Sequence, residues 1–145
     1  MKAHWLDTDT SINAATLDAE GIVYARHDTT EAGYRAPIEE LKQRNGYIEE
    51  DIVALNSDTP NLEALCEKFL VEHMHDEDEV RFVLEGDGVF DIRSLEDRYM
   101  RVTVEQGDLI VVPAKRYHRF MLTDRREIRC VRLFKDKAGW VPHFR

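Results

Sequence analysis

The segment His73-Met74-His75-Asp76-Glu77-Asp78-Glu79-Val80-Arg81-Phe82 concentrates residue types that hold metals and anions. Side chains of an extended strand alternate faces, so His73, His75, Glu79 and Arg81 share one parity. An unbroken or gently bent strand would aim all four into one cavity. Imidazole nitrogen with carboxylate oxygen suits a divalent first-row transition metal such as Fe, Ni or Mn. One strand seldom completes such a site. His118, which follows Gly107 and Pro113 and shares parity with Phe120, is the candidate partner. Three neutral imidazoles and one carboxylate leave a divalent ion with about one net positive charge. That favours an anionic substrate chelating through two oxygens. Arg81 is costly to bury alone, so either that anion or a nearby Asp or Glu must pair with it. Asp76, Glu77 and Asp78 read as a solvated turn, with room for hydrogen bonding to a histidine.

Strands are needed to hold these groups, and the pattern supplies them from residue 73 onward. Stretches 80–84, 89–93, 99–104, 109–112, 117–122 and 127–134 read as strands; Phe90 and Ile92 alternate with Asp91 and Arg93, and Met100, Val102 and Val104 with Arg101 and Thr103. Turn residues punctuate them, as at Gly86-Asp87-Gly88, Gln106-Gly107-Asp108 and Pro113-Ala114-Lys115. Many short strands at this spacing predict an antiparallel sandwich or barrel, and an internal metal site favours the double-sheet jelly roll. Upstream, residues 21–25 read as a strand, and two short helical patches are expected at 37–44 and 48–55 around the Asn45-Gly46 turn signal. Thr59-Pro60 reads as a helix start, with a hydroxyl cap and a proline at the first helical position. Leu62, Leu65, Cys66 and Phe69 then make one apolar stripe at i, i+3, i+4 and i+7. The expectation is a mainly β chain with a helical N-terminal third, one domain over 1–145. Residues 1–72 would pack a strand and helices on a metal-binding barrel core at 73–145.

Composition bounds the function. A formal net charge of −9 with no basic stripe argues against nucleic-acid binding. No apolar run approaches a membrane span, and the first residues lack a signal-peptide core. The two cysteines, Cys66 and Cys130, form no framework and read as small buried apolar residues. A cytoplasmic protein is expected. Nothing demands an assembly, so a monomer is expected too. His4, His27 and His143 have no partner spacing and read as exposed.

Written as spacings, the first motif is His-x-His, three residues, Glu, six residues, Gly86; the second is Gly107, five residues, Pro113, four residues, His118. Together they resemble the two metal motifs of the cupin superfamily, whose fold is a double-stranded β-helix or jelly-roll barrel. Glu67 and Lys115 depart from it, standing where those motifs often carry glycine. The run from Glu72 to Phe82, then Gly86-Asp87-Gly88-Val89-Phe90-Asp91-Ile92-Arg93, narrows the likeness to the acireductone dioxygenase family. So do Tyr117-His118-Arg119-Phe120, Arg132-Leu133-Phe134, Gly139-Trp140 and, upstream, Gly21-Ile22-Val23-Tyr24 and Asn45-Gly46-Tyr47. Beside many family members the chain looks short after Trp140, which would simplify one wall of the pocket.

By that resemblance His73, His75, Glu79 and His118 match the metal ligands, for one Fe(II) or Ni(II) per chain. Arg81 matches the residue that contacts the substrate enediolate and serves catalysis. Phe69, Phe120 and Trp140 match aromatic positions lining the substrate pocket, although aromatics in a barrel are more often plain core. The implied substrate pair is dioxygen and 1,2-dihydroxy-5-(methylsulfanyl)pent-1-en-3-one, an intermediate of methionine salvage. With iron the family makes formate and 4-methylsulfanyl-2-oxobutanoate. With nickel it makes carbon monoxide, formate and 3-(methylsulfanyl)propanoate. The alternatives are another cupin dioxygenase or isomerase with the same ligands, and a non-catalytic cupin that binds a metal or small ligand.

Overall fold

A computed structural model describes residues 2–145. In chain order its elements are β1 (Lys2–Trp5), α1 (Ala14–Ala19), β2 (Val23–Arg26), α2 (Glu31–Asn45), β3 (Glu49–Leu55), α3 (Leu62–Leu70) and β4 (His73–Met74). There follow β5 (Glu79–Arg93), β6 (Tyr99–Glu105), β7 (Asp108–Val112), β8 (His118–Met121), β9 (Ile128–Phe134), a 3-10 turn at Lys137–Trp140 and β10 (His143–Phe144). The strands form two antiparallel sheets that share β5. One runs β1-β6-β5-β8-β4-β10; in the other, β5 lies between β7 and β9, which pair outward with β2 and β3. This is the jelly-roll architecture of the cupins, and three of its strands come from the N-terminal half of the chain.

The long β5 organises both sheets. Gly86-Asp87-Gly88, expected as a turn, is instead the bend where β5 passes from one sheet to the other. Its first half pairs with β7 and β9, its second with β6 and β8. Gly86 has φ +80°, and a Cβ there would run into the Glu127 backbone. Only glycine lets the two strands approach so closely at that bend.

Helix α2 covers the outer face of the β7-β5-β9 sheet. Tyr34, Ile38 and Leu41 pack there against Val80, Phe82, Leu84, Val111 and Leu133. Phe82 is fully buried, a contribution of about 1.5–3 kcal/mol. Because Val80, Phe82 and Leu84 face the helix, Glu79, Arg81 and Val83 must face the space between the sheets. A slip of one residue would drive Arg81 into the helix interface, so burial of this apolar face sets the register of the site. Val83, Phe90, Ile92, Met100, Val102, Ile110 and Cys130 form the inter-sheet core.

Two further sequence expectations fail locally, at 48–55 and at Thr59, while the patch at 37–44 is helical as expected. The helical patch at 48–55 is the strand β3, paired residue for residue with β9 from Glu49↔Phe134 to Leu55↔Ile128. Gly46, at φ +74°, stops α2, and the free edge of β9 then captures the extended chain, overriding weak helix propensity. The patch at 37–44 belongs to a longer helix capped by Thr30 and containing Pro37. Thr59 caps no helix; its hydroxyl accepts from Asn56 N–H and closes a turn, and α3 starts at Leu62 behind Asn61. The stripe is nonetheless where the spacing puts it, with Leu62 buried and Leu65, Cys66 and Phe69 against the inter-sheet core. Among the described residues no helix is long and apolar enough to cross a membrane.

Candidate metal centre

His73 comes from β4, His75 from the loop after it, Glu79 and Arg81 from β5, and His118 from β8. Strand pairing places His73 opposite His118, and His118 opposite Ile92. The three imidazoles each offer a ligand atom within 4.8 Å of the others. Their ring centroids lie 4.7–5.1 Å apart, and all three are buried. His73 Nδ1 lies 2.7 Å from the Val71 carbonyl and His118 Nδ1 lies 2.9 Å from that of Arg116. Each Nδ1–H therefore donates to backbone, which leaves Nε2 with a lone pair directed inward. His118 Nε2 is buried with no hydrogen-bond partner, although Glu79 Oε2 stands 3.3 Å away without hydrogen-bond alignment. A buried lone pair with no donor is what a metal ligand looks like before the metal arrives.

The electrostatics of His73, His75 and Glu79 fit that reading, and at His118 a cation would take the place of a proton. Burial holds His73 below its ordinary pKa and pushes His75 down to about 4, so both are neutral and ready to ligate near neutral pH. Burial also opposes ionisation of Glu79, but Arg81 and His118 outweigh it and hold the carboxyl well below its usual range. For His118 burial is likewise outweighed, by the Glu79 charge, and its pKa is raised. Arg81 Nη2 lies 3.2 Å from Glu79 Oε1, and Nη1 donates to the Val80 carbonyl at 2.9 Å. Of the two partners the sequence allowed for Arg81, the carboxylate is in place.

Parity predicted the facing of these residues, but not the path of the chain. The strand is broken at 75–78, and the acidic run there is far from a solvated turn. Asp78 accepts from Ala114 N–H at 2.8 Å and from the Tyr47 hydroxyl at 2.6 Å, while Lys115 N–H donates to the His75 carbonyl at 2.7 Å. These bonds lock the first metal motif onto the turn of the second. Lys115 sits there at φ +62°, keeping the left-handed turn that the superfamily pattern marks with glycine. Glu77 accepts from the Lys135 and Asp136 N–H groups and so anchors the turn that carries Trp140. Only Asp76 is exposed, 3.3 Å from His143. No acidic residue of the run orients His73 or His118; backbone carbonyls do that.

Two connected spaces meet at the histidines. An inner chamber of about 120 Å³ is lined by Phe69, Phe90, Phe120, Ile128 and Cys130 together with His73, Glu79, Arg81 and His118. An outer vestibule of about 320 Å³ shares Phe69, His73, Glu79 and Arg81 and adds Trp140 and Phe144. Phe69, Arg81, Phe120 and Trp140 thus all border the cavity. Two contributors were missed. Arg132 lines both spaces, held by Asp51 at 2.7–2.8 Å and lying 4.2 Å over the Trp140 ring. Its parity with Ile128 and Cys130 along β9 was the available signal. Strand β10, which pairs Phe144 opposite His73, carries no pattern at two residues long.

Comparison with known proteins agrees with this geometry. The sequence model of the ARD/ARD' family matches residues 2–142. The acireductone dioxygenase of Dictyostelium discoideum is 40% identical over 143 residues, 98% of this chain and 97% of that one. That of Heterostelium pallidum is 39% identical over 142 residues, 98% and 96% of the two chains. The solved acireductone dioxygenase of Bacillus anthracis, with a cadmium ion in its active centre, superposes with a TM-score of 0.91 at 30% identity, covering 99% of this chain and 97% of that chain. Matched end to end in sequence and in fold, this chain belongs to the ARD/ARD' family of acireductone dioxygenases.

Proposed function

We propose that this chain is a metal-dependent acireductone dioxygenase of methionine salvage, with His73, His75, Glu79 and His118 as ligands of one Fe(II) or Ni(II) ion. The observation that carries the ligand assignment is the buried, unpartnered Nε2 of His118 facing two neutral imidazoles and an ionised carboxylate. Bound there, such an ion supplies a Lewis acid and a template for two substrate oxygens.

The remaining work falls to the chain's own side chains. The guanidinium of Arg81, aimed into both spaces, pairs with the enediolate charge and holds the substrate deprotonated. With Glu79 engaged as a ligand, the Arg81 Nη2 group that now donates to it would be available to the anion. Phe69 and Phe120 receive the methylsulfanyl tail and keep water from the reacting carbons, and Trp140 closes the outer side. We further propose that it acts as a single-domain monomer in the cytoplasm.

Oxygen uptake by Fe(II)-reconstituted apoprotein with freshly generated acireductone tests the reading, with products identified by mass spectrometry. Formate and 4-methylsulfanyl-2-oxobutanoate are expected, and Ni(II) should redirect the products to carbon monoxide, formate and 3-(methylsulfanyl)propanoate. A rate equal to the uncatalysed oxidation at full metal occupancy overturns it. His118→Ala should lose most bound metal while keeping the fold; full retention of metal overturns the ligand assignment.

A further inference from the structure

The inner chamber ends at a three-ring wall. Phe120 lies 5.0 Å from Phe90 and 6.2 Å from Phe69, centroid to centroid, the second pair edge to face. Phe120 can adopt this place because the residue beneath it has no side chain. A Cβ built on Gly88 would lie 2.6 Å from Phe120 Cε2, 2.8 Å from Cζ and 3.1 Å from Ile128 Cδ1. Two of these contacts are far shorter than the 3.5–4.0 Å at which carbons rest. Gly88 has no positive φ, so its backbone does not call for glycine. The requirement is space, and the atoms that use the space line the chamber.

We infer that Gly88 is a specificity-determining position, which sets how deep the apolar end of the site runs by letting Phe120 sink toward β5. The inference rests on the proposed function only in taking the metal centre as the anchor of a chelating, apolar-tailed ligand. A methyl group at residue 88 meets Phe120 first and Ile128 next. The ring it meets, Phe120, lines the chamber, and the displaced ring takes up chamber space. Gly88→Ala therefore shortens the tail the site accepts and leaves the ligands alone, since the three atoms nearest the new Cβ belong to Phe120 and Ile128 and not to His73, His75, Glu79 or His118.

The test uses full-length protein loaded with Zn(II) and straight-chain alkyl hydroxamates of increasing length, which chelate through two oxygens and do not turn over. Calorimetry reads affinity against tail length. In the wild type each methylene should tighten binding by about fourfold until the chamber is full, and the gain should then stop. Gly88→Ala should move that break to a shorter tail, with metal affinity and the affinity of the shortest hydroxamate unchanged. Gly88→Ala combined with Phe120→Leu should move it back, and Phe120→Leu alone should move it beyond the wild type. The last arm tests the same geometry should Gly88→Ala fail to fold. A break that stays put in Gly88→Ala, or in Phe120→Leu, overturns the inference while the metal centre stands. If no hydroxamate binds the Zn-loaded wild type, the anchor is wrong and both readings fall.

Discussion

Replacing Tyr47 with phenylalanine removes a single oxygen from a residue that is 3% exposed, and the effect should reach the metal centre. The hydroxyl donates to Asp78 at 2.6 Å, and the other Asp78 oxygen accepts from Ala114 N–H at 2.8 Å. A hydrogen bond to a charged acceptor is worth about 1.5–3 kcal/mol, and losing the donor leaves a part-buried carboxylate oxygen short of a partner. The metal-free variant should be destabilised by that amount, roughly 5–10 °C in Tm for a chain of this size. Asp78 directly precedes Glu79 and is tied to the turn that leads to His118. Loosening it should weaken metal binding by about 10–100-fold, the range seen when groups that orient ligands are lost. Asp78→Ala should cost at least as much, and adding Tyr47→Phe to it should cost little more. Urea titration of chelator-treated proteins reads the first effect, and metal competition against a chromophoric chelator reads the second. A Tyr47→Phe protein with wild-type urea midpoint and wild-type metal affinity would refute the reasoning. Strict additivity in the double variant would refute the coupling.

Arg81→Met should keep its metal, because the lost guanidinium competes with a cation for Glu79, while the KM for acireductone should rise at least about tenfold. Metal loss on dialysis of that variant would contradict the assigned role. Lys115→Gly relieves a left-handed residue at φ +62° and should stabilise the protein by about 0.5–1 kcal/mol, seen as a higher Tm with the metal still bound. A lower Tm would mean that the lysine side chain contributes more than its backbone costs. Asp91, fully buried, is held below the ordinary aspartate range despite the burial, by bidentate Arg101 and by Arg119. A carboxyl with depressed folded pKa contributes stability that is present above the unfolded value and is lost as pH falls through the folded one. Thermal scans below about pH 4 should therefore show a declining Tm, less steep in Asp91→Asn. Parallel acid limbs for the two proteins would argue that Asp91 is not part of that titration.

Much of this site is legible in the sequence. Residue type and spacing singled out His73, His75, Glu79, Arg81 and His118, and alternation relates Glu79 to Arg81 within β5; the break at 75–78 that separates them from the histidines was not legible. The helix stripe ending in Phe69 and the strands from 99 to 134 were equally plain, since their apolar period is written in neighbouring residues. What tertiary structure alone decided lies in pairings between distant segments. Residues 48–55 became a strand because β9 offered a free edge, not because of their own preference. Gly86 became a crossing between sheets, and not a turn, because Glu127 packs against it. Asp78 and Glu77 became anchors between segments because Tyr47, Ala114, Lys135 and Asp136 presented donors from far along the chain. A charged residue's local sequence cannot show whether a donor will be waiting for it. Hydrophobic period is set by neighbours in sequence, whereas the partner of a buried polar group is set by neighbours in space.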